Sequence, residues 1–573
     1  MKSHRYAYLL ALGSMLVLLA GCGSGGTTPD KIGHALDDSL TCIGCHEDSS
    51  QNPKWASPGT GKPIVAEWKA STHNTNNGAS CTNCHGTDFV NPVLHPASCS
   101  KCHTVGGQVL ADSSTNPDRH GRCALCHAKT NPRPGMIDGF NTFTYEDPAI
   151  PALPAGSTTR FVHFSTGKRA NFVSTKYINR CRACHNPHDT SSGKVQRQEW
   201  AQSGHGATTT NARASYDFKT KGSDVTSDIA YGDNCVRCHT STGAITFITS
   251  GFMDIKRLPL PAADTSREVT ACDVCHDDGS GYAYGYKIRT VGPVTTYYNF
   301  SASSHISVRK TFPDIAASNL CLVCHVGREI GETIKKAATQ GVDFTKVAFM
   351  SSHYLTAGAS LLQISGYEFA GRTYPSGGAL PYQHQTIGAG AQGPCVTCHM
   401  KPGRHTFLPV TLGNNATRWL RQITGIASPE CAKCHNGTTA PNLDIAGLNA
   451  SKNGFFQALE QLRLNMQARG MFYGRGGIKT TATLATNVTN WEKFGAGSGP
   501  DTMGAAFNYV LLNFDYGAYA HNSYYAKRLL YDSIDLLDDG LLNYTACATI
   551  SGNPAAYQYM CSNTSTNTLA DRP

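Results

Sequence analysis

The sequence predicts a chain of mostly loops and short α-helices, with minor β structure and a helical C-terminal segment. Its core is expected to form around bound groups rather than around side chains. Three observations lead there. A five-residue pattern, Cys-x-x-Cys-His, occurs ten times and takes up twenty of the 23 cysteines. Fewer than 60 of the 573 residues are available per copy, too few to enclose each one in a side-chain core. Beyond about residue 440 the pattern stops and apolar residues recur at helical spacing.

The copies are Cys42, Cys45 and His46; Cys81, Cys84 and His85; Cys99, Cys102 and His103; Cys123, Cys126 and His127; and Cys181, Cys184 and His185. They continue with Cys235, Cys238 and His239; Cys272, Cys275 and His276; Cys321, Cys324 and His325; Cys395, Cys398 and His399; and Cys431, Cys434 and His435. Shuffling this composition would give roughly 0.04 copies, which excludes chance. The spacing is that of c-type haem attachment: two thiols bond to one edge of the porphyrin, and the adjacent imidazole binds the iron as proximal ligand. Zinc also uses Cys-x-x-Cys pairs, and an exported chain permits a disulfide framework. Neither requires a histidine after every second cysteine. Ten covalent c-type haems, each carrying iron, are therefore expected, on a protein outside the cytoplasm.

The segments follow in order. Residues 1–21 read as a signal peptide: Lys2 and Arg5 precede an apolar run, and Leu19-Ala-Gly-Cys22 has the form of a lipobox with Cys22 as lipid anchor. Residues 22–33 read as a flexible lipidated tether. Residues 34–130 form a dense tetrahaem region, and 131–160 a Pro/Gly-rich linker. Residues 161–440 form a hexahaem region; within it, 282–300 reads as a hairpin turning at Val-Gly-Pro. Residues 441–546 form a haem-free helical region, with helices expected over 454–469 and 521–538. The tail, 547–573, holds Cys547 and Cys561, expected to pair as a disulfide.

Twelve further histidines remain after His4 leaves with the signal. Ten haems need up to ten distal ligands. His73, His95, His120, His163, His188, His205, His305, His353, His384 and His405 are assigned to that role. His34 and His521 are further candidates, although His521 opens an expected helix where it could instead pack or cap. Contexts repeat: "EWKASTH" (67–73) and "EWAQSGH" (199–205) share Glu-Trp-x-x-Ser-x-His, "FSASSH" (300–305) keeps the aromatic and serine, and "SSH" (351–353) keeps the serine. The serine is expected to cap a turn or orient the imidazole.

The formal charge is +9. Without Lys2 and Arg5, and with about −1 per oxidised haem, the protein would carry about −3, falling to about −13 when reduced. The basic balance is thus no sign of nucleic-acid binding, and no basic helix or aromatic–basic platform is present.

The lipobox, the ten motifs, "GYEFAGRTYP…GPCVTCHM" (366–400) and "AYAHNSYYAKRLLYDSIDLLDDG" (518–540) together resemble the outer-surface multihaem c-type cytochrome lipoproteins of metal-reducing bacteria. The resemblance implies an outer-membrane lipoprotein at the cell surface, electrons carried toward extracellular metal oxides or other acceptors, and other multihaem cytochromes or a porin–cytochrome conduit as partners. The haem spacing does not repeat as two similar pentahaem halves. An electron carrier with irons capped by two histidines is the first expectation. A reductase of a small oxyanion such as nitrite or tetrathionate, with one open haem, is the alternative, and a filament subunit a third. His188→Ala is expected to leave every haem attached while weakening the ligation of one iron; an unchanged low-spin optical and EPR spectrum would remove His188 from the ligand set.

Overall fold

The computed structural model describes residues 43, 47, 62–71, 74, 144–145, 161–162, 194–206, 235–253, 269–276, 288–299, 306–374, 383–400, 404–415, 420–474, 477–561 and 572–573. The signal and tether with Cys22 lie outside these residues, as do the attachment residues of the first five motifs and His34, His73, His95, His120, His163, His188 and His305. The chain forms two compact units, residues 1–217 with 266–289, and residues 218–265 with 290–573. These units are drawn differently from the motif-based segments: the Cys272–His276 motif joins the first unit, and four motifs share the second with the haem-free C-terminal region. Among the described residues, no helix is long and apolar enough to cross a membrane.

In the first unit, the helix Ile64–Ala70 buries Val65 and Trp68 against Ile43. The helix Lys194–Gln202 buries Trp200, whose indole N–H donates to the Thr270 carbonyl at 2.9 Å. The two Glu-Trp-x-x-Ser repeats share one device: Ser71 Oγ donates to the Trp68 carbonyl at 2.8 Å, and Ser203 Oγ to the Trp200 carbonyl at 2.7 Å. Each bond ends its helix by satisfying a last-turn carbonyl. Across the Pro/Gly-rich stretch, Thr144–Tyr145 pairs antiparallel with Phe161–Val162.

Among the described residues, sheet in the second unit is limited to short antiparallel pairs. The expected hairpin over 282–300 is corrected here. Its second run is a strand, Thr295–Asn299, but it pairs with Ser307–Thr311, while Ile288 bridges to His276 within the first unit. Cross-strand partners such as Thr295 and Thr311, whose hydroxyls are 2.8 Å apart, decide this register; the Val-Gly-Pro turn does not.

The C-terminal region holds a side-chain core of its own. The helix Ile445–Ala468 starts with Asp444 capping Gly447 N–H and buries Phe455, Leu459, Leu462 and Met466, the stripe its spacing predicts. The helix Ser523–Asp539 is capped by Asn522 and buries Tyr525, Leu529, Leu530, Ile534 and Leu537. Between them runs Gly499–Phe514, which buries nearly its whole circumference. A helix apolar all round has no amphipathic period, so spacing did not reveal it. The segment after the eighth motif threads into this core. Asn508 pairs with both backbone groups of Tyr367, accepting from its N–H at 2.8 Å and donating to its carbonyl at 2.9 Å. Gly504 leaves the room that the Tyr367 ring fills; a Cβ there would lie 2.2 Å from it.

A buried ionic network closes the region. Asp532 and Asp535 are fully buried; Arg572 clamps Asp532 at 2.7 and 2.6 Å, and Arg372 meets Asp535 at 2.5 Å. Tyr374 donates to Asp532 at 2.5 Å, and Asp535 accepts from the Tyr544 and Thr545 N–H groups. Cys547 and Cys561 are joined as a disulfide. Removing one partner of a buried ion pair strands the other's charge, at a cost of about 3–5 kcal/mol. Asp532→Asn should therefore lower the unfolding midpoint of the holoprotein and expose the C-terminal helices to limited proteolysis; an unchanged midpoint and digestion pattern would show the network to be dispensable.

Candidate haem-ligation site

One helical turn explains the motif. Residues i, i+3 and i+4 of a helix share a face, so both sulfurs and the imidazole of Cys-x-x-Cys-His emerge together. The described motifs adopt this turn: Cys235–His239 is a helix, Cys272–Cys275 another, and Gly393–His399 and Glu430–Cys434 contain two more. In three of them the histidine N–H closes the turn onto the first cysteine's carbonyl, for His276, His325 and His435 at 2.8, 2.9 and 2.8 Å.

Among the described residues, three motif histidines face another histidine. Ring centroids are 6.5 Å apart for His239 and His353, 6.1 Å for His399 and His521, and 6.1 Å for His435 and His384. A metal–imidazole bond of about 2 Å places the centroids of two ligands across one metal about 6 Å apart. Each pair joins a motif histidine to one outside any motif, and the donor set fits a haem iron with two axial imidazoles.

Backbone oxygens aim these rings. His384 Nδ1 lies 2.6 Å from the Ala520 carbonyl, His399 Nδ1 3.0 Å from that of Phe407, and His435 Nδ1 3.0 Å from that of Pro441. A carbonyl only accepts, so Nδ1 carries the proton and the lone pair sits on Nε2, the atom left for a metal. His521 differs: its Nδ1 lies 2.8 Å from Asp515 Oδ1. Two of the positions are held in left-handed backbone, His353 at φ 59° and Phe407 at φ 56°. Such conformations cost about 1–3 kcal/mol and persist where surrounding structure imposes them.

Burial favours the neutral form, the one that binds metal, in several of these rings and in His325. It lowers His353 to about 4, helped by the Arg328 charge, and His325 to about 4, helped by His399 and His521. It also lowers His384 and His399. Burial acts against a charged His521 too, but the charge and hydrogen bond of Asp515 outweigh it and raise that ring above the ordinary imidazole value. A field that favours a proton on the ring favours any cation at Nε2.

Neighbouring turns touch. Cys238 Sγ is 3.8 Å from the Cys324 carbonyl, and Cys324 Sγ is 3.4 Å from the Arg237 carbonyl. Cys321 and Cys395 interact through their sulfurs. Arg237, fully buried on the Cys235–His239 turn, donates to Thr296 Oγ1 at 3.1 Å. Of the remaining candidates, His405 stands edge-on to Phe407, and the His205 N–H donates to Ser203 Oγ at 3.1 Å. The His353 N–H donates to Ser351 Oγ at 3.2 Å, so Ser-x-His is one local turn in two places. Asp515 and the carbonyls of Ala520, Phe407 and Pro441 belong to no motif; only their positions in space reveal them.

Residues 162–325 match the family model for outer membrane cytochrome MtrC/MtrF-like, domains II/IV. The chain is similar to the C-type polyheme cytochrome OmcB of Geobacter sulfurreducens, 28% identical over 93% of this chain and 86% of that protein. It is also similar to the C-type polyheme cytochrome OmcC of the same organism, 35% identical over 57% of this chain and 46% of that protein. No solved structure matches. His384→Ala should turn one low-spin haem of the holoprotein high-spin, with the haem number by intact mass unchanged; a spectrum identical to the parent's would break the His384–His435 pair.

Proposed function

We propose that the chain is an outer-surface multihaem c-type cytochrome of the outer membrane, a reading its similarity to outer membrane polyhaem cytochromes supports, and that it carries electrons along ten covalent haems, mostly held by two histidines each, toward extracellular acceptors. The observation that carries this reading is the set of three facing pairs, His239–His353, His399–His521 and His435–His384, at 6.1–6.5 Å. When bound, each haem supplies a reversible one-electron iron couple. The chain's residues do the rest. Paired cysteines tie each group to one helical turn. The turn's histidine would hold the iron from one side and a distant histidine from the other, a pairing that would leave no free position for substrate. Carbonyls aim His384, His399 and His435, and Asp515 aims His521, so these rings would need little rearrangement on electron transfer.

Touching turns support transfer between neighbours: the Cys235–His239 turn meets that of Cys321–His325, and Cys321 meets Cys395. The lipidated Cys22 would hold the protein on the outer membrane, beside other multihaem cytochromes or a porin–cytochrome conduit, with metal oxides among the acceptors.

Low-temperature EPR of the oxidised, mature holoprotein tests this, with haem number from intact mass. Ten haems with only low-spin signals are expected. A stoichiometric high-spin signal would mean an open iron and would favour the reductase of a small oxyanion instead.

A further inference from the structure

His521 sits at a corner that combines several unusual features. Its Nδ1 partner, Asp515 Oδ1, also accepts from the Gly517 N–H at 3.2 Å. Asp515 is 4% exposed, and its second oxygen, Oδ2, is buried with no hydrogen-bond partner. Few donors dilute this carboxylate's charge, and its main contact is one imidazole.

Local structure does not call for an acid here. Asp515 is the C-cap of the sixteen-residue helix Gly499–Phe514. The C-terminal end of a helix carries partial negative charge, which disfavours an anion, and burial adds a desolvation cost. A residue that breaks a local rule without a structural gain points to a functional site. The neighbouring axial candidates sharpen the contrast. The Nδ1 atoms of His384, His399 and His435 lie against neutral carbonyls, whereas that of His521 lies against a carboxylate. Gly517 completes the seat: a Cβ there would lie 2.7 Å from the His521 ring, so only glycine lets the imidazole lie against this turn.

We propose that Asp515 is a positioning residue that lowers the reduction potential of the iron held by His399 and His521; the proposal rests on that axial pairing. A carboxylate acceptor draws the Nδ1 proton toward itself and makes Nε2 a stronger donor, which favours ferric over ferrous iron. The buried negative charge opposes the arriving electron in the same direction. The step is the gain of one electron by ferric iron from an electrode; Nδ1 keeps its proton, and no bond forms or breaks. This iron therefore releases its electron more readily than it would behind a neutral carbonyl.

The test uses full-length holoprotein, with haem number from intact mass and a redox titration followed by EPR. Asp515→Asn keeps an oxygen that can accept from Nδ1 but removes the charge. The expected result is full haem content and unchanged low-spin state, with one one-electron component shifted to higher potential and one low-spin signal raised in its largest g value. Asp515→Glu, which keeps the charge, should return both toward the parent. Asp515→Ser, smaller and neutral, is read in the same way should the Asn variant fail to assemble. If neutral variants leave every component in place while His521→Ala turns one haem high-spin, the tuning role is overturned and the pairing stands. If His521→Ala leaves every haem low-spin, the pairing falls and the proposal with it.

Discussion

An attachment turn presents its two sulfurs and its imidazole from one side only, because i, i+3 and i+4 share one face of a helix. A second ligand on the opposite side would have to come from elsewhere in the chain. In the second unit histidines distant in sequence do approach motif histidines: His353 faces His239, His521 faces His399, and His384 approaches His435 from the N-terminal side. Long loops and a distant helical corner must therefore converge on the motif turns. This convergence, more than the turns themselves, shapes the unit.

The haem-free C-terminal region takes its meaning from that demand. Its apolar core, running from Phe455 to Cys561 with Tyr367 and Phe369 threaded in, is an ordinary packed interior. What it holds rigid is the corner at residues 515–522. There His521 presents its own ring, and the Ala520 carbonyl aims His384. Asn522 caps the next helix through Tyr525 N–H and donates to the Leu361 carbonyl at 3.2 Å. One corner thus supports two candidate axial ligands. A packed core suits this task, since an imidazole a fraction of an ångström out of place loses ligation strength, and close-packed interiors resist such displacement.

Charge around the ligands follows the same economy. Neutral carbonyls aim rings without adding a field, and Phe407 accepts left-handed backbone to place one of them. Arg237 and Asp515 depart from that pattern, a buried cation on one attachment turn and a buried anion behind one candidate ligand, and the Arg328 charge acts on His353. In a low-dielectric interior such charges act on any group beside them far more strongly than at the surface.

The haem chemistry was legible in the linear sequence because covalent attachment is local: two thiols and an imidazole within five residues need only one helical turn, and the motif states all three. The helices Ile445–Ala468 and Ser523–Asp539 were legible for a similar reason, since an amphipathic stripe is a local pattern. The helix Gly499–Phe514 was not, because burial on all sides erases the period, and the partner of Thr295–Asn299 was not, because cross-strand contacts chose it. The distal ligands lie between these cases. Composition shows that spare histidines are present in sufficient number, but no spacing rule says that His521, among the least certain of them, faces His399, or that Asp515 stands behind it. Which rings face each other is a contact through space between segments that sequence separates, so only the tertiary structure could decide it.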